Sequence, residues 1–212
     1  MEFKKSMARY TGPKNRLSRR EGIDLGLKTV GSHAHASLLK RLNVPPGQHG
    51  PKGKRKTSEY GLQLREKQKV KHMYGVMERQ FRKIFDLARK TRGNTGEKFL
   101  EYLERRLDNV TYRLGLAPTR TAARQFVSHG HVLVNGKKVS IPSYMINEND
   151  VVTMKTKSLE MPLVKKLLED KAYIPPVWME KQGPVGKIVR MPIREDIKDD
   201  INMQLIVEHY SR

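Results

Sequence analysis

The sequence predicts an α+β protein, and three observations support this class. Apolar residues recur at helical spacing in several stretches between residues 58 and 128. An Asn-Gly pair at 135–136 lies between two short apolar runs, which is the strongest short signal of a β-hairpin. After Ile141 the chain continues in short strand-like runs separated by polar turns and prolines.

Charge restricts the class of partner. The chain has 43 Lys and Arg against 22 Asp and Glu, and the resulting net charge of +21 repels itself unless a polyanion neutralises it. The excess lies early: residues 1–60 hold 14 basic and 4 acidic residues, and residues 61–120 hold 15 and 7, whereas the last 92 residues hold 14 and 11. Nucleic acid is therefore the first candidate partner of the first 120 residues, and an anionic membrane surface is the second.

The sequence lacks the residues that several other classes of protein require. The chain has no cysteine, which excludes disulfides and cysteine-bound metal and fits a reducing cytoplasm. No apolar run approaches the roughly 20 residues of a membrane span. The start, "MEFKKSMARY", has no apolar signal core.

Residues 8–57 are basic and rich in helix breakers. "GPKNRLSRREG" predicts a basic turn or short helix ending at Gly22, and "ASLLKRLN" predicts a helix of about two turns. "NVPPGQHGPKGKRKTS" has no apolar period and should be extended until it is bound. A tail without function is the simpler alternative, but the charge favours a segment that folds on RNA.

Helical patterns begin at Ser58, which is a good N-cap. In "MERQFRKIFDLARK" the apolar residues share one face and the basic residues fall mostly off it, which favours phosphate contact over a merely solvated helix. Thr95 can cap the next helix. An apolar stripe then continues as core through Phe99, Leu100, Leu103, Leu107, Val110 and Leu114.

The stretch from Thr119 to Ser143 combines a helix with a hairpin. Thr119 can cap the helix, Gly130 can end it, and Ala122, Ala123, Phe126 and Val127 form its buried side. Arg120 and Arg124 are four residues apart and therefore share one face. The Asn-Gly turn should pair Val134 with Lys137, Leu133 with Lys138 and Val132 with Val139. Two lysines would then lie beside the arginines. Such a groove fits a phosphate backbone or a shaped RNA junction better than a small substrate.

The rest of the chain alternates strands and helices. We predict a strand at Val151–Met154, an amphipathic helix in "SLEMPLVKKLLED" and strands in "YIPPVWME" and "GKIVRMPI". Apolar residues at helical spacing in "DDINMQLIVEHYSR" predict a last helix.

These stretches resemble a known family. "RLDNVTYRLGLAPTRTAARQFVSHGHVLVNGKKVSIPSY" closely resembles the RNA-binding module named after small-subunit ribosomal protein four. The bacterial form of that ribosomal protein is also resembled, in the family's order, by "ARYTGP" with "RLSRREG", "PPGQHG", "SEYGLQLREKQKVKHMYGVMERQFRKIF", "TGEKFLEYLERRLDNV" and "IVEHYSR". The module alone occurs in several RNA enzymes, whereas the full set is specific to the ribosomal protein.

The resemblance implies the domain organisation. It implies a basic N-terminal segment at residues 1–57 and a mainly helical first domain at 58–99, completed by about 190–212. A second domain at 100–189 is inserted between these parts. It has helices and a small antiparallel sheet, and it carries the RNA-binding module at about 105–170.

The resemblance also implies the function and the partners. It implies a non-catalytic structural constituent of the cytoplasmic small ribosomal subunit that binds the 5′ domain of 16S rRNA early and nucleates assembly of the subunit body. The further partners it implies are ribosomal proteins of the small subunit, especially protein five, with an influence on translational accuracy, and messenger RNA near the entry channel. No membrane, cofactor or small-molecule substrate is implied.

We predict RNA contacts by basic and polar residues in three parts of the chain, the N-terminal segment, the first helical stretch, and the helix and hairpin. They are Arg9, Arg16, Arg19, Arg20, Lys52, Lys54, Arg55, Lys56, Arg65, Lys67, Lys69, Lys71, Arg79, Arg82, Lys83, Arg120, Arg124, Ser128, His129, Lys137 and Lys138.

One departure concerns zinc. Some family members bind zinc through four N-terminal cysteines, and the matching positions here are Asn15, Ser18, Ser32 and Ser37. None of these side chains is a good zinc ligand, and His33 and His35 alone do not make a closed site. We therefore expect no metal.

Three alternatives stay open. Pseudouridine synthases share an Arg-Leu-Asp motif, with the Asp as nucleophile, and some carry the same module; here Asp108 stands in that motif. However, the module follows the motif instead of preceding it, and a helix-end cap explains Asp108 more simply. A ribosome-associated RNA-binding protein that uses the module alone would lack residues 8–100. A membrane-surface role has the charge but lacks an amphipathic face rich in Trp and Phe.

Overall fold

A computed structural model describes residues 9–53, 56–169 and 173–211 of the chain. In chain order the elements are α1 (Lys14–Glu21), α2 (His33–Leu39), α3 (Glu59–Met73), α4 (Glu78–Lys90), α5 (Thr95–Glu104), α6 (Leu107–Arg113), α7 (Arg120–Ser128), β1 (Val132–Val134), β2 (Lys137–Lys138), β3 (Val151–Met154), α8 (Thr156–Leu159), α9 (Pro162–Glu169), β4 (Met179–Gln182), β5 (Val185–Ile188) and α10 (Met203–Ser211). In the ranges described, seven helices precede the strands, and the strands form one antiparallel sheet between residues 132 and 188, which confirms the predicted α+β class.

The chain divides into two compact units. The first unit consists of residues 1–86 and 202–212, and the second unit consists of residues 87–201. The domain borders predicted near residues 57, 99 and 190 stay predictions.

In the first unit, the last helix packs against α3. The Ser58 hydroxyl accepts a hydrogen bond from the backbone N–H of Gly61, which confirms the predicted N-cap of α3. The ring of Tyr210 in α10 stacks on Phe85 in α4 with their centroids 4.6 Å apart. The last helix, α10, thus completes the core that α3 and α4 begin.

Glu78, at the start of α4, connects three elements of the first unit. Its carboxylate accepts hydrogen bonds from Lys67 Nζ at 2.8 Å, Lys71 Nζ at 2.9 Å and the Tyr210 hydroxyl at 2.9 Å. Partial burial alone would raise the pKa of Glu78, but these hydrogen bonds outweigh it and hold the pKa at about 2, below the ordinary 4.5. The ionised carboxylate therefore stabilises the folded unit.

Replacing Glu78 by Gln is expected to lower the stability of the first unit by about 1 kcal/mol near pH 7, a value reduced for the exposure of this site. Because the folded-state pKa is depressed, the contribution of the carboxylate is present above pH 4.5 and is lost as the pH falls toward 2. Urea unfolding followed by circular dichroism at a series of pH values measures the difference. The exposed Glu59→Gln in α3 is the control. A Glu78→Gln difference that stayed constant with pH would contradict this assignment.

The second unit contains the sheet. Its strands lie in the order β2-β1-β3-β5-β4, and all neighbours are antiparallel. Val152 of β3 pairs with Val134 of β1 on one side and with Gly186 of β5 on the other. A Cβ at Gly186 would collide with the side chain of Leu114, so this glycine permits close packing of α6 on the sheet. The strand predicted at Val151–Met154 is confirmed.

The core of the second unit lies between the sheet and its helices. The buried residues that form it are Leu107, Val110, Leu114, Leu116, Val127, Val132, Val134, Ile146, Val152, Met154, Val164, Trp178, Met179 and Ile188. The second half of the predicted apolar stripe is therefore core, as expected.

The stripe is not one helix. Asn94, instead of Thr95, caps α5 by accepting a hydrogen bond from the backbone N–H of Gly96. The helical structure is then interrupted at Arg106, which forms an isolated β-bridge with Met145. Spacing alone could not predict the break, because the segment that pairs with it lies about 40 residues further along the chain.

Candidate RNA interface

Many of the predicted RNA-binding residues are exposed, and the other described ones are partly or fully buried. Those whose side chains face solvent are Arg9, Arg16, Arg20, Lys52, Lys56, Arg79, Arg82, Lys83, Ser128, His129, Lys137 and Lys138. Lys54 and Arg55 lie outside the described residues. The exposed residues satisfy the first requirement of a phosphate contact, and their binding to RNA stays a prediction.

The cations of α3 have acidic partners inside the first unit. Lys67 and Lys71 bind Glu78, and their side chains are only 7% and 16% exposed. Lys69 binds Glu66 at 2.7 Å, and Arg65 lies 3.5 Å from the buried carboxylate of Glu21. Each of these four charges already has an acidic neighbour inside the unit, and their predicted contacts with RNA stay predictions.

Arg19 holds a loop of the N-terminal segment. Its guanidinium donates hydrogen bonds to the carbonyl of Val44 at 2.9 Å and to that of Pro45 at 3.0 Å. The structure thus gives Arg19 an architectural role and leaves Arg16 and Arg20 as the exposed cations of α1.

The helix and hairpin form as the sequence predicts. The Thr119 hydroxyl accepts a hydrogen bond from the backbone N–H of Ala122 and caps α7. Leu133 pairs with Lys138 and Val134 with Lys137, and the φ angles of 48° at Asn135 and 75° at Gly136 fit a type I′ turn. These two predicted pairs are confirmed, and a hydrogen bond of 3.4 Å from the backbone N–H of Val139 to the carbonyl of Val132 agrees with the third.

The hairpin lies close to the end of α7. Gly130 has a φ of 71°, and a Cβ there would collide with the side chain of Lys138. Lys138 therefore packs directly over the turn that follows α7, beside the exposed Ser128 and His129. We call the exposed side of this region, formed by Arg124, Ser128, His129, Lys137 and Lys138, the α7–hairpin face.

Arg120 is buried and lies outside this face, and its predicted contact with RNA stays a prediction. Its residue is only 7% exposed, and its guanidinium lies 4.7 Å from the ring centroid of Tyr112. Its Nε donates to Asn109 Oδ1 at 2.8 Å and its Nη2 to Asp199 Oδ2 at 3.4 Å. Four-residue spacing places Arg120 next to Arg124 along the helix, but buried polar partners turn its side chain inward.

Arg124 stands at the border between interior and solvent. Its Nη1 lies 3.5 Å from Asp108 Oδ2, and its side chain is 24% exposed. Arg106 already binds the same carboxylate with two hydrogen bonds, of 3.1 and 2.7 Å. Two guanidiniums therefore share one carboxylate, and the net charge of +1 on this trio favours an approaching phosphate.

Asp108 has a structural environment. It is 4% exposed, and its Oδ1 also accepts from the backbone N–H of Asn109 in the first turn of α6. A carboxylate enclosed by Arg106 and by a helix terminus already has its hydrogen-bond partners and is shielded from an incoming base. This geometry fits the predicted helix-end role of Asp108 and not that of a nucleophile.

Sequence reasoning missed a closed ring of polar side chains in the second unit. Glu104, fully buried, accepts from Asn109 at 2.6 Å and from Arg113 at 2.7 and 3.1 Å. Arg113 also donates to Asp199 at 2.7 Å, and Arg120 closes the ring between Asp199 and Asn109. The one local signal of this ring was an acidic residue, Glu104, inside the apolar stripe. The other acidic residue, Asp199, lies 86 residues from Arg113 and could not be linked to it from the sequence.

Hydrogen bonds involve two of the positions that match the zinc-binding cysteines, and one of these bonds connects α1 with α2. Asn15 Nδ2 donates to the carbonyl of Ala34 at 2.9 Å, and Ser32 Oγ accepts from the backbone N–H of His35. His35 Nε2 lies 2.7 Å from Asp24 Oδ2. Within the described part of the chain, no group of three His, Cys, Asp or Glu side chains is placed to hold a metal.

Purified protein is expected to contain no stoichiometric zinc, and chelation is expected to leave its RNA binding unchanged. The reason is the donor set at Asn15, Ser18, Ser32 and Ser37, which offers no thiolate. Elemental analysis and RNA binding before and after treatment with a chelator measure both parts. One zinc per chain would overturn the expectation.

Among the described residues, none of the helices has the length and apolar character needed to cross a bilayer. The α7–hairpin face likewise combines cations with small polar groups and lacks a broad apolar surface. This composition is the one expected at a surface that meets phosphates.

Two family profiles match the chain. The profile described as "Ribosomal protein S4/S9 N-terminal domain" matches residues 9–104, and the profile described as "S4 domain" matches residues 105–152. The α7–hairpin face lies within the second match.

Relatives extend the similarity over the full chain. The small ribosomal subunit protein uS4 of Halothermothrix orenii is 52% identical over 209 residues, which are 97% of this chain and 100% of that protein. The proteins of the same name from Brevibacillus brevis and Aquifex aeolicus are 50% and 52% identical, with the same coverage. The chain belongs to the family of small ribosomal subunit protein uS4.

Proposed function

We propose that this chain is a structural, non-catalytic constituent of the small ribosomal subunit and binds ribosomal RNA directly in the cytoplasm. The observation that carries the proposal is the α7–hairpin face, where Arg124, Lys137 and Lys138 lie within the stretch matched by the S4 domain. Similarity along the whole chain to proteins named uS4 supports the ribosomal assignment.

The target that we propose is the 5′ domain of 16S rRNA, at a junction of several helices. Phosphates converge at such a junction and repel one another, so cations placed there lower the free energy of the folded RNA. A protein that binds early at this point would nucleate assembly of the subunit body. No reaction is needed for this role.

A second contact area is proposed on the first unit. Arg79, Arg82 and Lys83 are exposed on α4, opposite the buried Phe81 and Phe85. A helix that buries one face and presents cations on the other is suited to lie along a phosphate backbone. The exposed cations of the N-terminal segment would add to this area.

The family resemblance extends the proposal to further partners. We propose a contact with ribosomal protein five that influences translational accuracy, and a position near the entry channel of messenger RNA. The exposed Lys52 and Lys56 would suit contact with the phosphates of a single-stranded RNA.

Changing Arg124 to Ala is expected to weaken binding to a 5′-domain transcript by roughly 1–3 kcal/mol, the range for a hydrogen bond to a charged group. Loss of the partly exposed contact with Asp108 should cost at most about 1 kcal/mol of stability, because Arg106 still pairs with that carboxylate. Filter binding with unrelated RNA as competitor measures affinity, and thermal melting measures stability.

The exposed neighbour Gln125 provides the matched control, since Gln125→Ala changes the same helix without changing charge. If Arg124→Ala melted early and bound RNA normally when folded, Arg124 would be structural and the α7–hairpin face would be wrongly assigned. If the intact protein bound the transcript no better than the competitor, the proposed target would be wrong.

A further inference from the structure

Three aromatic rings form a row where α7 ends. The ring of Phe126 lies 6.0 Å from that of His131 at an angle of 90°, and the ring of His129 lies 6.0 Å from that of His131 at 54°. Phe126 packs against the core, His131 is half-buried and His129 is exposed. The row therefore leads from the core to the surface of the α7–hairpin face.

The middle ring is fixed in place. His131 Nδ1 is hydrogen-bonded to the Oγ of Ser158 at 2.9 Å, and Ser158 is 2% exposed. The carbonyl of His131 accepts from the backbone N–H of Lys155 at 2.9 Å. A ring anchored through both its side chain and its backbone is pre-organised, so a ligand that stacks beside it loses less entropy on binding.

Protonation of the middle ring is disfavoured. Burial, and then the neighbouring His129 and Lys155, lower the pKa of His131 below its ordinary 6.5. A neutral ring contributes little attraction for a phosphate. Its flat apolar face is the part that can interact with a ligand.

A cation lies beside the row. Lys138 packs over Gly130, the residue between His129 and His131. A nucleotide with a flat base and a charged phosphate would find a partner for each part within this short stretch of surface.

We propose that the row of Phe126, His131 and His129 is a stacking platform for an unpaired base of the bound RNA, with Lys138 on the adjoining phosphate. This inference rests on the RNA-binding function proposed above and adds the kind of nucleotide bound. Bases inside an A-form duplex are already stacked, so an exposed ring adds nothing to a duplex contact. An unpaired base in a loop or bulge can rotate out and stack on the exposed His129.

The test compares two probes near pH 8, about 1.5 units above the ordinary histidine pKa, so that no histidine charge contributes. One probe is an oligoadenylate of about ten nucleotides, and the other is a blunt RNA duplex of about 16 base pairs. Affinity is measured over a range of salt concentrations for wild type, His129→Ala, His129→Phe and Lys137→Gln, and melting curves verify that each variant is folded.

We expect His129→Ala to lower affinity for the oligoadenylate about fivefold or more, the lower end for one base stacked on an aromatic ring. Its affinity for the duplex and its salt slope should not change, because no charge is removed. His129→Phe should restore binding to the single strand. Lys137→Gln should weaken both probes and reduce both salt slopes by about 1.

Equal losses on both probes, no loss on the single strand, or no restoration by Phe would each overturn the platform. In those cases the Lys137→Gln result would still support RNA binding by the α7–hairpin face. If the protein bound neither probe, the proposed function itself would fail, and the platform with it.

Discussion

RNA affinity is expected to fall on the order of a thousandfold or more between about 50 and 200 mM salt, by analogy with proteins that neutralise about 6–10 phosphates of duplex DNA. The physical reason is release of counterions from the RNA as Lys and Arg replace them. Residues 1–120 hold 29 of the 43 basic residues and 11 of the 22 acidic residues, so the first part of the chain should provide most of the effect. Filter binding of a 5′-domain transcript over a salt series measures the slope.

Matched variants separate exposed from paired cations in this experiment. Lys83→Gln removes an exposed ammonium from α4, and the salt slope should fall by about 1. Lys67→Gln removes an ammonium that is 7% exposed and already bound to Glu78, and the slope should stay the same. A nearly flat salt response of the intact protein would refute electrostatic binding. Equal slopes for the two variants would refute the division of the cations into exposed and paired groups.

Replacing Glu104 by Gln is expected to destabilise the second unit by about 3–5 kcal/mol, the range for removing one partner of a buried ion pair. Glu104 is fully buried and accepts hydrogen bonds from Arg113 and Asn109. Gln keeps the shape but places an amide donor among these donors. The guanidiniums of Arg113 and Arg120 are then left with Asp199 as the one acid of the ring.

The single tryptophan of the chain reports this effect. Trp178 is 1% exposed in the core of the same unit, so its fluorescence follows unfolding of the second unit in urea. The exposed Glu97→Gln on the same helix is the control, with an expected change within about 0.5 kcal/mol. A Glu104→Gln protein as stable as this control would show that the closed ring contributes no net stability.

Much of the fold follows from local sequence signals. The Asn-Gly turn specified the register of the hairpin because both residues tolerate positive φ, which L residues with branched side chains do not. Ser58 and Thr119 specified the starts of α3 and α7 because their hydroxyls satisfy backbone N–H groups one turn ahead. These signals act within a few residues, so no knowledge of tertiary structure was needed.

The candidate site was only partly predictable. Arg120 and Arg124 have the same residue type and helical spacing, yet Arg120 is buried against Tyr112, Asn109 and Asp199, whereas Arg124 reaches the surface. In the same way, Lys67 in α3 and Lys83 in α4 look equally basic, but one pairs with Glu78 and the other is exposed. Helical spacing shows which side chains are neighbours, not which of them face solvent.

The sequence by itself therefore determined the α+β class, the caps of α3 and α7, the hairpin register and the uS4 family. Only the tertiary structure decided which cations remain exposed and which pair with internal carboxylates. Backbone hydrogen bonds and turns are specified by residues close in sequence. A long cationic side chain turns toward the nearest acidic group, which can come from a distant part of the sequence. For Arg120 that group is Asp199, 79 residues further along the chain.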